Sequence, residues 1–193
     1  MARNKEFEEA EVLDKAVNLF WCKGYNGTSM QEVVDCLGIS RSSLYDTFGD
    51  KRQLYLAALD RYRRQMAGAL LQTVQQATEV VPTLSRLFQM AVHESLADRL
   101  GKGCFMVNST VEQAPHDPEV ARIVKANMED IEEAFYQLIR KGQGLGEVTS
   151  EHEARALARF LFNTMSGLRV AAKAGAGPGV YDDVVKLALS VLR

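Results

Sequence analysis

Apolar residues recur along this chain at the three- and four-residue spacing of helices. No stretch alternates in the two-residue period of a strand, and there is no internal repeat. Leu13, Ala16, Val17, Phe20 and Gly24 share one face of a first helix at about 7–23, widened by Leu19 and Trp21. Gly24 suits the left-handed position past a helix end, and Lys23 is a cation in the last turn. After the turn Tyr25-Asn26-Gly27, Thr28 is expected to cap a second helix at 29–37, with Gln31 completing a capping box. That helix carries Met30, Val33, Val34 and Leu37. Gly38-Ile39-Ser40 breaks the period, and Ser40 caps a third helix at 41–48 with a shorter stripe of Leu44, Tyr45 and Phe48. Gly49 ends it, and Asp50, with Gln53 at the reciprocal position, caps a long fourth helix at 51–79.

Val81-Pro82 interrupts the pattern. A fifth helix is predicted at 83–99 and, after Gly101-Lys102-Gly103, a sixth at 104–113. Asp117-Pro118 caps and starts a seventh at 118–141, since proline is tolerated in the first turn. The Gly-rich stretch at 141–148 reads as a turn, Ser150 with Glu153 as a capping box for an eighth helix at 151–174, and 174–179 as a loop before a ninth at 181–192. The fold class predicted is all-α, about nine helices. The two short helices within Thr28–Lys51 have the layout of a helix-turn-helix, whose second helix is offered to a DNA major groove.

Composition changes this picture in one respect. Hydrophobic residues are 47% and charged residues 25%, ordinary for a globular protein. No apolar run approaches the roughly 20 residues that span a bilayer, and the first residues lack the apolar core of a secretory signal. The cytoplasm is therefore the expected compartment, with no membrane partner. The net charge, however, is −2, and residues 1–65 hold as many acidic as basic residues. A bulk basic footprint is missing. DNA affinity must come from placement, with Lys23, Arg41, Lys51 and Arg52 near one surface and Glu6, Glu8, Glu9 and Glu11 turned elsewhere.

Enzymatic chemistry finds little support. Cys22, Cys36 and Cys104 form no CxxC pair, and His93, His116 and His152 fall in no metal-binding motif. No nucleophile elbow or P-loop is present, and the Gly-rich pieces follow helices rather than strands. Neither a metal nor a cofactor is expected.

The stretch from Leu13 onward is more specific than a helix pair alone: Leu19-Phe20 and Gly24-Tyr25, Thr28-Ser29, Gly38-Ile39-Ser40, then Leu44-Tyr45-x-x-Phe48-x-x-Lys51. Over about residues 7–60 it resembles the N-terminal domain of the TetR/AcrR family of transcriptional regulators. That resemblance implies a helix-turn-helix DNA-binding domain at 1–50 and a larger C-terminal ligand-binding and dimerisation domain at 51–193, with helix 51–79 connecting them. It also implies a homodimer on a pseudo-palindromic double-stranded operator, a small-molecule effector and, as the family's usual mode, repression relieved by a ligand that tilts the connecting helix.

The residue chemistry agrees. Arg41 can reach guanine or a phosphate, Ser42 and Ser43 are small donors, and Tyr45 can place its hydroxyl on a phosphate. Thr28 stands at a helix N-terminus, where anions bind, and Lys51 matches the family's backbone-contacting lysine. Asp46 departs from the family pattern. It can accept from a cytosine amine or pair with Arg41 or Arg52, and the intramolecular pair is the expectation.

Beyond residue 65, Phe88, His93, Cys104, Phe105, Asn108 and Phe135 are candidate pocket residues, being apolar positions interleaved with polar ones. They fit an ordinary core equally well. Cys104 has a further alternative as an electrophile- or oxidant-sensing thiol, since a helix N-terminus and nearby Lys102 favour thiolate. Leu157, Leu161, Met165 and Leu168 of the eighth helix, with Val184, Leu187 and Val191 of the ninth, are the expected dimer interface by analogy with the family.

Overall fold

The computed structural model describes residues 8–193. Among them the chain forms nine α-helices and no strand: α1 (Glu9–Lys23), α2 (Met30–Leu37), α3 (Arg41–Phe48), α4 (Lys51–Gln76), α5 (Val80–Ala97), α6 (Phe105–Glu112), α7 (Pro118–Leu145), α8 (Ala154–Lys173) and α9 (Pro178–Ser190). The all-α expectation is met. The proposed start at Phe7 and the placing of Glu6 lie outside the described residues. No helix among them is long and apolar enough to cross a membrane.

Several helix ends differ from those read from the sequence, each for a local reason. The cap of α2 is Ser29, not Thr28. Ser29 Oγ accepts from the Glu32 amide at 3.2 Å, and the Glu32 carboxylate accepts from the Ser29 amide at 2.8 Å. Thr28 is buried instead, its hydroxyl donating to the Gly24 carbonyl at 2.7 Å. Pro82 does not delay α5, because a first-turn nitrogen has no intrahelical partner to lose. The first-turn amides there are met by Glu147, which accepts from Val80 at 2.7 Å and Val81 at 3.3 Å. The Gly-rich stretch after 141 continues α7 to Leu145. Gly142 is buried, and a Cβ there would lie 2.6 Å from a Val148 methyl and 2.8 Å from one of Val80. Its glycine serves close approach of α5 to α7, not a turn. The Ser150–Glu153 box does not form; α8 opens after Glu153 with no side-chain cap. Pro178 begins α9.

Two apolar cores result. The first gathers Ala16, Val17 and Phe20 of α1, Val33 and Leu37 of α2, Leu44 of α3, and Leu54, Tyr55 and Leu59 of α4. It does not close at the end of the head, since Phe105 and Met106 of α6 and Ile123 and Val124 of α7 belong to it. The second joins Leu84 and Phe88 of α5, Phe135 and Leu138 of α7, Leu157 and Leu161 of α8, and Tyr181 of α9.

Four contacts fasten the head to the rest. Tyr55, fully buried, packs its ring against Phe20 and Tyr25 on the head side, at centroid distances of 5.1 and 4.9 Å, and against Phe105 at 5.7 Å. Its hydroxyl donates to Ser109 Oγ of α6 at 2.7 Å. Glu112, the last residue of α6, accepts from the backbone amides of Tyr25 at 3.2 Å and Asn26 at 2.9 Å. Gly24 leaves the space for that carboxylate: with φ +75°, its added Cβ would meet Glu112 Oε2 at 2.8 Å. Trp21 Nε1 donates to the Gly103 carbonyl at 3.1 Å. Arg52 grips Asp117, the cap of α7, through two bonds of 2.6 and 2.9 Å.

The Arg52 guanidinium holds the Asp117 carboxyl at about 2, below its ordinary 3.8. A depressed carboxyl contributes its full stability above the unfolded value and loses it as pH falls through the folded one. Acid titration of melting temperature should therefore show a loss between roughly pH 4 and pH 2 that is smaller in Asp117→Asn; equal acid slopes would remove Asp117 from the joint. Gly142→Ala should overpack the α5–α7 contact by about 1–3 kcal/mol, lowering Tm by roughly 2–4 °C per kcal/mol at this chain length, as read by circular dichroism.

Candidate nucleic-acid interface and interior cavity

Short as it is, α3 has a defined orientation. Ser40 caps it by accepting from the Ser43 amide at 3.1 Å, and the Ser40 hydroxyl lies 3.0 Å from that of Ser42 and 2.8 Å from that of Ser43. Leu44 is fully buried and Phe48 packs on the same core. At about 100° per residue, Ser42 and Asp46 then lie on the opposite face, with Arg41 and Tyr45 to one side. Arg41, Ser42, Tyr45 and Asp46 are all exposed, Ser43 half-buried. Tyr45, expected in a core stripe, is 47% exposed and belongs to the outward face.

Charge is distributed differently from the sequence expectation. Lys23 pairs with Glu32, whose carboxyl it holds down at about 2. Arg52 is engaged by Asp117 and Glu119. Neither is a free cation of the α3 surface. Lys51 is half-buried, its ammonium 4.2 Å from the Tyr25 ring centroid, and burial lowers its pKa. Arg41 makes no hydrogen bond or ion pair among the described residues, and neither does Asp46. The expected pairing of Asp46 with Arg41 or Arg52 is absent, the latter because Asp117 and Glu119 hold the guanidinium. Thr28 offers no hydroxyl to the surface, since it is buried within the head.

An apolar cavity of about 270 Å³ lies among α4, α6, α7 and α8. Its walls include Tyr62 and Met66 of α4, Met106, Val107 and Thr110 of α6, Asn127, Met128 and Ile131 of α7, and Phe162, Met165, Ser166 and Arg169 of α8. Of the six pocket candidates, only Cys104 lines it. Phe88 and Phe105 are fully buried in the two cores. Asn108 donates to the Lys102 carbonyl at 2.8 Å. Phe135 borders an adjoining cavity of about 160 Å³, and His93 a separate crevice of about 530 Å³ beside Trp21. Sequence reasoning misses the α8 wall when it gives that helix to the interface as a whole. A wide amphipathic stripe is the available signal: a helix with apolar residues on more than one face has more than one neighbour.

Cys104 is the residue before α6 rather than within it, with Sγ 3.9 Å from the Tyr62 hydroxyl. The Lys102 ammonium stacks on Trp21 at 4.3 Å.

Six of the seven residues expected at the interface are covered, wholly or in part, within their own chain. Leu157, Leu161 and Leu168 are buried in the second core, Met165 lines the cavity, and Val184 and Val191 pack partly against that core. Leu187 is exposed, at 69%. Phe160 and Val170 of α8 and Val180 of α9, not anticipated, are the other exposed large apolar residues of these two helices.

With this geometry established, comparison with known proteins places the chain. Residues 12–58 match the family model "Bacterial regulatory proteins, tetR family", and residues 80–187 match "Tetracyclin repressor-like, C-terminal domain". The chain is 38% identical, over all 193 residues of both chains, to the uncharacterized HTH-type transcriptional regulator YezE of Bacillus subtilis strain 168. It is 29% identical to the HTH-type transcriptional repressor ComR of Escherichia coli K12, covering 99% of this chain and 90% of ComR. Among solved structures, a double cysteine variant of the TetR-family regulator CifR, complexed with 26-bp operator DNA, superposes with a TM-score of 0.86 at 25% identity over 99% of this chain and 100% of that one. The chain belongs to the tetR family of bacterial regulatory proteins, which are DNA-binding transcriptional regulators and not enzymes.

Proposed function

We propose that this protein is a cytoplasmic repressor that binds a pseudo-palindromic operator as a homodimer and leaves it when a small molecule occupies the cavity. One observation carries the reading: two of the helices that wall the cavity, α4 and α6, are also helices that hold the head. Met106, Val107 and Thr110 line it from α6, whose last residue, Glu112, holds the Tyr25-Asn26 turn. Tyr62 and Met66 line it from α4, which begins at Lys51 beside α3. In this division residues 1–50 read DNA, 51–193 bind effector and partner, and α4 belongs to both. A ligand that favours one arrangement of α4 and α6 shifts the head by its differential affinity for the two states.

Arg41, Ser42, Ser43 and Tyr45 form the reading surface, with Lys51 beside it. The N-terminus of α2 near Thr28 holds a phosphate through backbone groups, since the Thr28 hydroxyl is engaged. Asp46, unpaired at the centre of the outward face, accepts from a base amine. Cytosine suits it best: its N4 amine adjoins a C–H, whereas the adenine amine adjoins the N7 acceptor, which repels a carboxylate. The exposed Phe160, Val170, Val180 and Leu187 supply a partner surface on α8 and α9. A dimer sets two copies of α3 about 34–36 Å apart, one DNA turn. Cys104 on the cavity wall supports a second reading, in which an electrophile or oxidant acts on its thiol.

In vitro selection from randomised duplexes tests the head. Wild type should enrich a two-fold-related site with a C·G pair at one position of each half, and Asp46→Asn should lose that cytosine preference by roughly 5- to 150-fold with the remaining positions unchanged. Uniformly tighter binding by Asp46→Asn would mean the carboxylate only repels phosphate. The double variant Arg41→Ala, Tyr45→Ala should abolish binding. Sedimentation velocity tests the partner surface: Leu187→Glu should convert a dimer to a monomer, and a persisting dimer would move the interface elsewhere. Alkylation should still release DNA from Cys104→Ser if the thiol has no part in sensing.

A further inference from the structure

The polar side chains on the cavity wall are almost all engaged by the protein itself. Thr110 donates to the Met106 carbonyl at 2.8 Å, Ser166 to Phe162 at 3.0 Å and Asn163 to Arg159 at 2.8 Å. The charge of Arg169 is matched by Glu94 at 2.6 Å. Asn127 is the exception. It is 8% exposed, it lines the cavity from α7, and its carboxamide makes no hydrogen bond among the described residues. Its amide atoms open onto the cavity rather than being sealed from solvent (the sealed unpaired side-chain atom among the described residues is Asp98 Oδ1), so a ligand that displaces water there must itself supply their hydrogen bonds.

The chemistry of the wall selects that ligand. Asn127 brings two N–H donors. Burial pushes the Tyr62 hydroxyl well above its ordinary range, so it stays protonated and able to donate. The carboxamide N–H groups and the Tyr62 hydroxyl can converge on one ligand acceptor, which a neutral carbonyl oxygen supplies. The rest of the wall is apolar and adaptable, with Met66, Met106, Met128 and Met165 beside Ile131 and Phe162. With Arg169 already matched, an ionic ligand would enter unpaired, at a large desolvation penalty.

We propose that the effector is an uncharged carbonyl compound with an apolar body, its carbonyl oxygen accepting from the Asn127 carboxamide. This rests on the reading of the cavity as the effector site.

The test uses a set of probes of matched chain length: 2-heptanone, heptanamide, heptanoate and heptylamine. With wild type, the ketone or amide should raise Tm by roughly 5–10 °C at a concentration about 100 times Kd, and the carboxylate and amine should not. Asn127→Leu removes the cavity-facing amide at similar volume. Without probe it should melt at or above the wild-type temperature, and it should bind the neutral probes about tenfold more weakly or worse. Asn127→Asp replaces the donors with acceptors and should switch the preference to heptylamine. The proposal fails if no neutral probe binds, if heptanoate binds better than the ketone, or if Asn127→Leu binds the ketone as wild type does. Operator release by the same probes, followed by fluorescence anisotropy on the selected duplex, is a separate readout: a probe that binds through Asn127 without releasing DNA upholds the ligand class and overturns the repressor mechanism.

Discussion

The burial of Tyr55 is the constraint on which the arrangement of this molecule depends. A tyrosine can sit at the centre of a core only if its hydroxyl finds a partner. Here the partner is Ser109 of α6, so the ring belongs to the head through Phe20 and Tyr25 while its polar end belongs to the body. Burial pushes that hydroxyl's pKa up to about 12, so it remains a donor throughout the ordinary pH range. Glu112, one turn further along α6, then meets the Tyr25-Asn26 turn, and Arg52 on α4 meets the cap of α7. The head and the body share a core, built on α4 and α6 from both sides.

Electrostatics is subordinate to this joint. Residues 1–65 carry balanced charges, and two of their cations that could have supplied a basic surface are engaged internally, Lys23 with Glu32 and Arg52 with Asp117 and Glu119. What remains outward on α3 is Arg41, a set of hydroxyls and Asp46. In the proposed reading such a surface would attract DNA weakly in general and discriminate by hydrogen bonding, because non-specific affinity scales with the phosphates neutralised whereas base contacts specify sequence. The same economy holds on the cavity wall, where the charge of Arg169 is matched by Glu94 and the Asn127 carboxamide has no protein partner among the described residues.

The legibility of the chain in its sequence follows the range of the interactions involved. The helices of the head were readable because period, cap and turn residues are local: Leu44 and Phe48 mark the buried side of α3, and Ser40 and Asp50 cap where expected. The family resemblance was readable from the same stretch. Errors arose where two local solutions compete. Thr28 and Ser29 can each cap α2, and the reciprocal carboxylate of Glu32 decides for Ser29. Gly142 reads as a turn until Val80 and Val148 are seen against it.

The sequence by itself determined that the chain is helical and that it carries a helix-turn-helix, since each follows from contacts between near neighbours. Only the tertiary structure decided which face of each long helix meets which neighbour. An apolar stripe says that a residue is covered, not by what. Leu157 and Leu161 are covered by their own protomer, Met165 lines the cavity, and Leu187 stays largely exposed among the described residues. Whether Asp46 is paired or free was decided in the same way, by Asp117 and Glu119, more than sixty residues away along the chain, taking Arg52 first.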